Sequence, residues 1–210
     1  MAFDFKREYR ALYQPRWEPA LIDVPGMHYV AVEGRGDPND PEGEYARALA
    51  VLYAVSYTVK MSKAGPRRIE GYFDYVVPPL EGFWWQDGED GMDCARKADF
   101  RWLSAIRLPE FVKQADFEWA VAQAARKKGL DCSGAKMLTI EEGLCAQVMH
   151  IGPYDDEPAT IAALHTFIEE NGCAEDFTPA RRHHEIYLAD PRRTPPEKLK
   201  TVIRLPVRRI

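Results

Sequence analysis

Glu185 and Tyr187, one residue apart in His183-His-Glu-Ile-Tyr187, are a pair in this chain suited to acid–base chemistry. On a strand they share a face, because side chains alternate. A glutamate half-sunk in apolar surroundings has a raised pKa and can serve as a general base near neutrality. A tyrosine hydroxyl can orient water or donate to a developing oxyanion. The same spacing occurs in Glu70-Gly-Tyr72, where Gly71 permits a bulge that would change the facing. If both strands line one cleft, two Glu/Tyr pairs meet across it. The competing reading is that all four are ordinary half-exposed strand residues.

His183 shares the face of Glu185, which raises the question of a metal. A metal site needs a third and usually a fourth ligand, and His150 is the only further candidate. The expectation is no metal and no cofactor, with strand histidines hydrogen-bonded to neighbours. Gly34-Arg-Gly36 begins like a dinucleotide fingerprint but lacks the third glycine, and Asp37, Asp40 and Glu42 would repel a phosphate. There is no Gly-x-Ser-x-Gly elbow and no cysteine beside a signature histidine motif. Cys145 therefore reads as a buried thiol. The 5 Trp, 10 Tyr and 9 Phe residues are enough to fill a core or to line a pocket for a flat apolar ligand. Trp84 and Trp85 lie in the acidic, glycine-rich stretch Glu81–Cys94, which reads as a loop or flap over something. Together with Trp119 and Tyr154 they are candidate ligand contacts, against the alternative of core.

The chain supplies scaffolding for these residues twice. Ala20–Gly36 aligns without a gap on Lys136–Gly152, an offset of 116 (136 − 20). Each segment is an apolar strand, a glycine-containing turn and a second apolar strand, the pattern of a hairpin. Ile106-Arg-Leu-Pro109 recurs as Ile203-Arg-Leu-Pro206, an offset of 97 (203 − 106). Each half carries a helix between these anchors. Asp40-Pro41 is a good start for the first, with Tyr45, Leu49, Leu52 and Tyr53 at helical spacing. Asp156-Glu157-Pro158 opens the second, Ile161, Leu164 and Ile168 form its apolar face, and Asn171-Gly172 stops it. Strands at Ile69–Val77 and His183–Leu188 follow. The expected fold is α+β: two pseudo-symmetric strand-strand-helix-strand-strand repeats, about 18–110 and 134–210, forming a mainly antiparallel sheet with a cleft between the halves. A helix over about 116–128, carrying Phe117, Trp119, Ala120 and Ala124 and ended by Gly129, joins them.

Composition narrows the function. With 28 basic and 33 acidic residues the net charge is −5, which argues against direct nucleic-acid binding. No apolar run approaches the roughly 20 residues of a membrane span, and the N-terminus lacks the apolar core of a secretory signal. The four scattered cysteines read as reduced thiols, so the expected location is cytoplasmic.

Glu142–Pro158, His183–Pro191 and Lys200–Pro206 together resemble the gyrase-inhibitor-like (GyrI-like) small-molecule-binding family. The match is specific over about 137–207, and the first half is a more degenerate copy. The resemblance implies two pseudo-symmetric modules and a cleft with a central glutamate, which maps to Glu185. Family members fused to DNA-binding domains sense lipophilic, often cationic, drugs. The roughly 20 residues before the first repeat are too few for a helix-turn-helix domain. The expected type is therefore the stand-alone branch, which is similar to hydrolases that open the cyclopropane of DNA-alkylating compounds.

Two functions follow from the same residues. An aromatic cleft with one carboxylate suits a small planar apolar or cationic molecule, through stacking and cation–π contacts. An enzyme on the same cleft would use Glu185 to activate water and Tyr187 or Tyr154 to assist at the opening ring. Ring strain supplies much of the driving force, so neither a metal nor a covalent nucleophile is needed. The ligand-contacting set is Glu70, Tyr72, Trp84, Trp85, Trp119 and His150. A weaker third reading is a protein-binding inhibitor acting through its acidic surface. The sequence leaves the native ligand and the oligomeric state open.

Overall fold

The computed structural model describes residues 2–65, 67–88 and 95–210. In chain order the elements are β1 (Phe3–Asp4), α1 (Phe5–Glu8), α2 (Arg10–Tyr13), β2 (Ala20–Val24), β3 (Met27–Arg35), α3 (Glu44–Lys60), β4 (Tyr75–Val76), β5 (Leu80–Gln86), β6 (Phe100–Arg107), α4 (Gln114–Lys128), β7 (Lys136–Ile140), β8 (Gly143–Ile151), α5 (Glu157–Glu170), β9 (Cys173–Glu175), β10 (His183–Tyr187) and β11 (Lys200–Arg209). The class is α+β; among the described residues β1 pairs with β4 in parallel, and the β2–β8, β8–β11, β11–β10, β10–β5, β11–β9, β3–β6 and β3–β7 pairings are antiparallel. Among the described residues no helix is long and apolar enough to cross a membrane.

Contacts divide the chain into two compact units, each discontinuous in sequence. The first holds Met27–Pro78 and Trp85–Ile140 with the first residues of the chain. The second holds Lys6–Gly26, Pro79–Trp84 and Glu141–Ile210.

In the first unit β3 is flanked by β6 and β7. The expected start of α3 at Asp40 is corrected to Glu44. Asp37 and Asp40 instead accept from the backbone N–H groups of Asn39 and Glu42, which closes two side-chain turns before the helix. Val51, Leu52, Val55 and Val59 of α3 and Phe117, Ala120 and Ala124 of α4 are buried. Gly129 ends α4 in the left-handed conformation, φ +65°.

In the second unit the strand order is β2-β8-β11-β10-β5, with β9 beside the far end of β11. Pro158 sits in the first turn of α5, where its missing N–H costs nothing. Leu164 and Ile168 then pack on Ala146, Val148, Ile203, Leu205 and Val207. Each fully buried aliphatic side chain contributes about 1.5–3 kcal/mol.

Two expectations are corrected. Neither glycine turn makes a hairpin: β2 pairs with β8, whereas β3, next in the chain, pairs with β7 and β6. The expected strand Ile69–Val77 shrinks to Tyr75–Val76, because Gly71, at φ +76°, bends the chain into a turn. The strand that pairs with β10 is β5, formed by the aromatic start of the stretch read as a flap. Residues 89–94 of that stretch lie outside the described residues.

Candidate functional site

Strand β10 has two differently used faces. Glu185 pairs in register with Ile203 of β11 and Gly82 of β5. Its side chain projects on the same face as His183 and Tyr187, as the spacing predicts. His183 Nε2 lies 2.9 Å from Oε1, and the Tyr187 hydroxyl donates to Oε2 at 2.7 Å. Trp84 Nε1–H donates to the Tyr187 oxygen at 2.9 Å. A relay therefore runs from indole to phenol to carboxylate, with His183 holding the second oxygen. Gly82 makes room for it. A Cβ there would lie 2.5 Å from Trp84 Nε1 and 3.1 Å from the Tyr187 hydroxyl.

The Glu185 side chain keeps 14 % of its surface exposed. Burial pushes its pKa up, but hydrogen bonds from His183 and Tyr187 outweigh burial and hold it below the ordinary value. The raised pKa expected for Glu185 is corrected: the group is ionised and only a weak base. Tyr187 both donates and accepts, so it positions Glu185 and is not a free acid.

The raised carboxyl is Glu157, which sequence reasoning saw only as a helix start. It is 6 % exposed, and its Oε1 makes no hydrogen bond among the described residues. Burial, then the charge of Glu185, push it up to about 9, against a partial opposing pull from the nearby Thr201 hydroxyl. Thr201 is cross-strand from Tyr187, is fully buried, and its Oγ1 also makes no hydrogen bond. Glu157 thus holds a proton while Glu185 is charged. The turn Tyr154–Asp156 brings Tyr154 edge-on to the Tyr187 ring, centroids 5.8 Å apart. Tyr154 is 37 % exposed, and burial, then Glu157 and Glu185, raise its phenol to about 12, so it stays neutral. His150 anchors this turn. Its Nε2–H donates to the Pro153 carbonyl and its Nδ1 accepts from Thr160, at 3.1 and 2.8 Å. With both nitrogens engaged, His150 acts as a brace.

The other face of β10 carries His184, fully buried between two carboxylates. Nδ1 is 3.0 Å from Glu142 and Nε2 is 3.1 Å from Glu81. Both nitrogens must donate, so the ring is an imidazolium. Burial opposes that charge, but Glu142 and Glu81 outweigh it and raise the pKa. Arg204 Nη1 donates to Glu142 at 3.0 Å and Nη2 to the Leu12 carbonyl at 2.8 Å. Burial pushes Glu142 up, but His184 and Arg204 prevail and lower it to about 2. Tyr13 donates to Glu81, and the Phe83 ring stacks on His184 at 4.0 Å. A groove of about 480 Å³ on this side is lined by Arg16, Trp17, Met149, Ile151, Leu188 and Lys200, among others.

The remaining candidates lie elsewhere. Glu70 sits on the turn at Gly71, 88 % exposed, and pairs with Lys113. Tyr72 donates to the Lys60 carbonyl. The matched Glu/Tyr strand pair is therefore corrected, because 70–72 is a turn and no strand face exists there. Trp119 lies under the Arg67 guanidinium, 5.5 Å from its centroid. Trp84 and Trp85 are strand residues, Trp84 buried and Trp85 half-buried. Among the described residues no three His, Cys, Asp or Glu side chains are grouped to hold a metal ion.

Residues 18–208 match the sequence profile of the GyrI-like small molecule binding domain. The crystal structure of a hydrolase from Listeria innocua is 45 % identical, with a TM-score of 0.88 over 98 % of this chain and 100 % of that one. An uncharacterized conserved protein from Listeria innocua is 46 % identical, with a TM-score of 0.93 over the same shares. The EcmrR C-terminal domain, at 14 % identity, shares the fold alone, with a TM-score of 0.56 over 92 % of this chain and 98 % of that one. No curated protein matches the sequence.

Proposed function

We propose the following for this chain, which belongs to the GyrI-like small-molecule-binding family: it binds a small planar molecule beside Glu185 and hydrolyses a cyclopropane ring that the molecule carries. The observation that carries this reading is the state of Glu185, ionised, clamped through both oxygens, and still open at one edge. A carboxylate has about four acceptor positions and two are used, which leaves room for one ordered water. The hydrolase name of a relative 45 % identical over nearly the whole chain supports the same reading.

In the step we envisage, Glu185 accepts a proton from water as the water oxygen bonds to the ring methylene. One ring C–C bond breaks, and its electron pair passes into a conjugated carbonyl, whose oxygen takes up a proton. Release of strain drives the step, so a weak base held in position is sufficient. Tyr154 and Tyr187, the latter held by Trp84 from behind, supply aromatic surface for the planar substrate. A cytoplasmic location belongs to the same proposal, in keeping with the buried free thiols of Cys132, Cys145 and Cys173.

The test is incubation of the protein with a synthetic spirocyclopropyl cyclohexadienone, read by mass spectrometry for the gain of one water. Glu185→Gln keeps the shape, and is expected to slow turnover about 10²–10⁴-fold, the usual worth of a general base. The second reading, binding or sequestration of lipophilic cations without turnover, is favoured by the charge of Glu185. It predicts no water gain, and about 1–3 kcal/mol weaker binding of cations alone in the same variant.

A further inference from the structure

The Glu157 carboxyl and the Thr201 hydroxyl are anomalous. Both are buried, Glu157 Oε1 and Thr201 Oγ1 make no well-formed hydrogen bond among the described residues, and Thr201 is the one hydroxyl close enough to pull on the carboxyl, beside the Glu185 face of β10 and β11. Leaving a buried polar group unsatisfied costs about 1–3 kcal/mol. Two adjacent under-satisfied polar atoms next to an ionised carboxylate call for an explanation, and a catalytic role is one that buried unsatisfied groups admit. Other orphaned hydroxyls, Ser56 and Ser62 among them, stand in the first unit without a carboxyl partner.

We propose that Glu157, as a neutral carboxylic acid, and Thr201 together hold the carbonyl oxygen of a conjugated ketone, and that Glu157 protonates that oxygen as the ring opens. The assignment rests on the hydrolytic reading above and adds a second reacting group, Glu157, with Thr201 as its positioning partner. The proton count closes. Before the step Glu157 carries a proton and Glu185 does not. Water gives its proton to Glu185, Glu157 gives its own to the carbonyl oxygen, and the C–O bond forms as the C–C bond breaks. The two carboxyls hold one proton between them before and after, so the charge at the site is unchanged. Two carboxyls driven apart by their environments are the pattern by which acid and base are assigned. The chemistry is also matched: burial, then the charge of Glu185, keep the proton on Glu157 before the step, and as Glu185 takes up the proton of water that repulsion is relieved and Glu157 can release its own to a nascent phenolate. Glu185 from β10 and Tyr154 and Asp155 from the preceding turn are the titratable groups that face Glu157.

Two substitutions separate holding from protonating. Glu157→Gln keeps an N–H donor for the carbonyl but has no proton to transfer. Glu157→Met removes both. The probes are 4,4-dimethylcyclohexadienone, which has no ring to open, for binding by calorimetry, and the spirocyclopropyl dienone for single-turnover rate. The expected result is that Glu157→Gln binds the dimethyl compound within about twofold of the parent protein but opens the spiro compound about 10²–10⁴-fold more slowly. Glu157→Met and Thr201→Val are expected to bind the dimethyl compound about fivefold or more weakly, the loss of roughly one hydrogen bond. Unchanged binding in Glu157→Met overturns the subsite. Turnover by Glu157→Gln within about threefold of the parent overturns the proton transfer. If the parent protein opens no ring while Glu157→Met still weakens binding, the hydrolytic reading and the proton transfer fail and the carbonyl subsite stands.

Discussion

The two faces of β10 spend similar side chains in opposite ways. On one, His184 and Arg204 face Glu81 and Glu142, two positive groups against two negative ones, all fully or almost fully buried. Every carboxylate there is answered, and Gln147, Tyr13 and the Leu12 carbonyl take up further donors and acceptors. On the other, His183 and Tyr187 answer Glu185, but Glu157 beside it is left protonated and without a partner for Oε1. A closed, balanced network holds structure. An unbalanced one, kept next to a partly open carboxylate, is destabilising by itself, and the proposed carbonyl subsite accounts for it.

Substitutions on the two faces should therefore change stability with opposite signs. The largest effect is expected on the closed face. Glu142→Gln leaves His184 and Arg204 buried and under-compensated and should cost about 3–5 kcal/mol, measured by urea unfolding. The pH dependence of this face has two ends. His184 is raised, so its contribution is full below the ordinary histidine value and is lost as pH rises through its folded value. Glu142 is lowered, so its contribution is full above about 4.5 and is lost as pH falls towards about 2.

On the open face Glu157→Gln should stabilise the protein. A carboxyl raised from 4.5 to about 9 makes the folded state bind more protons than the unfolded one across that interval, so stability falls as pH rises. Removing the group should recover at most about 5 kcal/mol near pH 8, shrinking towards zero below pH 4.5. Unfolding curves at pH 5 and pH 8 for both proteins check the sign. A loss of stability at pH 8 would show that Glu157 is a structural partner.

The smallest effect concerns the relay. Gly82→Ala puts a methyl group against the Trp84 indole nitrogen and should cost about 1–3 kcal/mol of overpacking. Because the indole must move, its fluorescence should change and turnover should fall with Tyr187 no longer held. Unchanged fluorescence and activity would show that the relay tolerates displacement.

What was legible in the sequence was local. The apolar spacing of α5 and the Gly129 stop of α4 depend on neighbours a few residues away. Alternation placed Glu185 and Tyr187 on one face for the same reason. β5 was missed because its strand character is tertiary: Glu81, an awkward residue for a buried strand, is tolerated through His184, 103 residues on. The acidic, glycine-rich residues after it disguised the boundary. His184 read as one of two adjacent histidines because its partners, Glu81 and Glu142, are distant in the chain. Glu157 was hidden by its good fit to a helix start. Burial and the field of Glu185 distinguish it from Asp156, and neither can be read from spacing. Glu70 and Tyr72 matched in letters but not in backbone, since the glycine between them makes a turn.

The crossed pairing of β2 with β8 and β3 with β7 has a consequence for synthesis. Ala20 finds Gln147 only after 127 further residues (147 − 20) have been made, roughly 6–25 s at the usual pace of a ribosome. Until then β2 has no strand to join, and β3 lacks one neighbour until Lys136–Ile140 emerges. Neither unit is a contiguous piece of chain, so no single cut yields a fragment that contains either unit alone. The last third of the polypeptide must arrive before the first can be finished. Pairings so far apart in the chain must meet the entropy of closing a long loop before they are rewarded, so slow folding is expected.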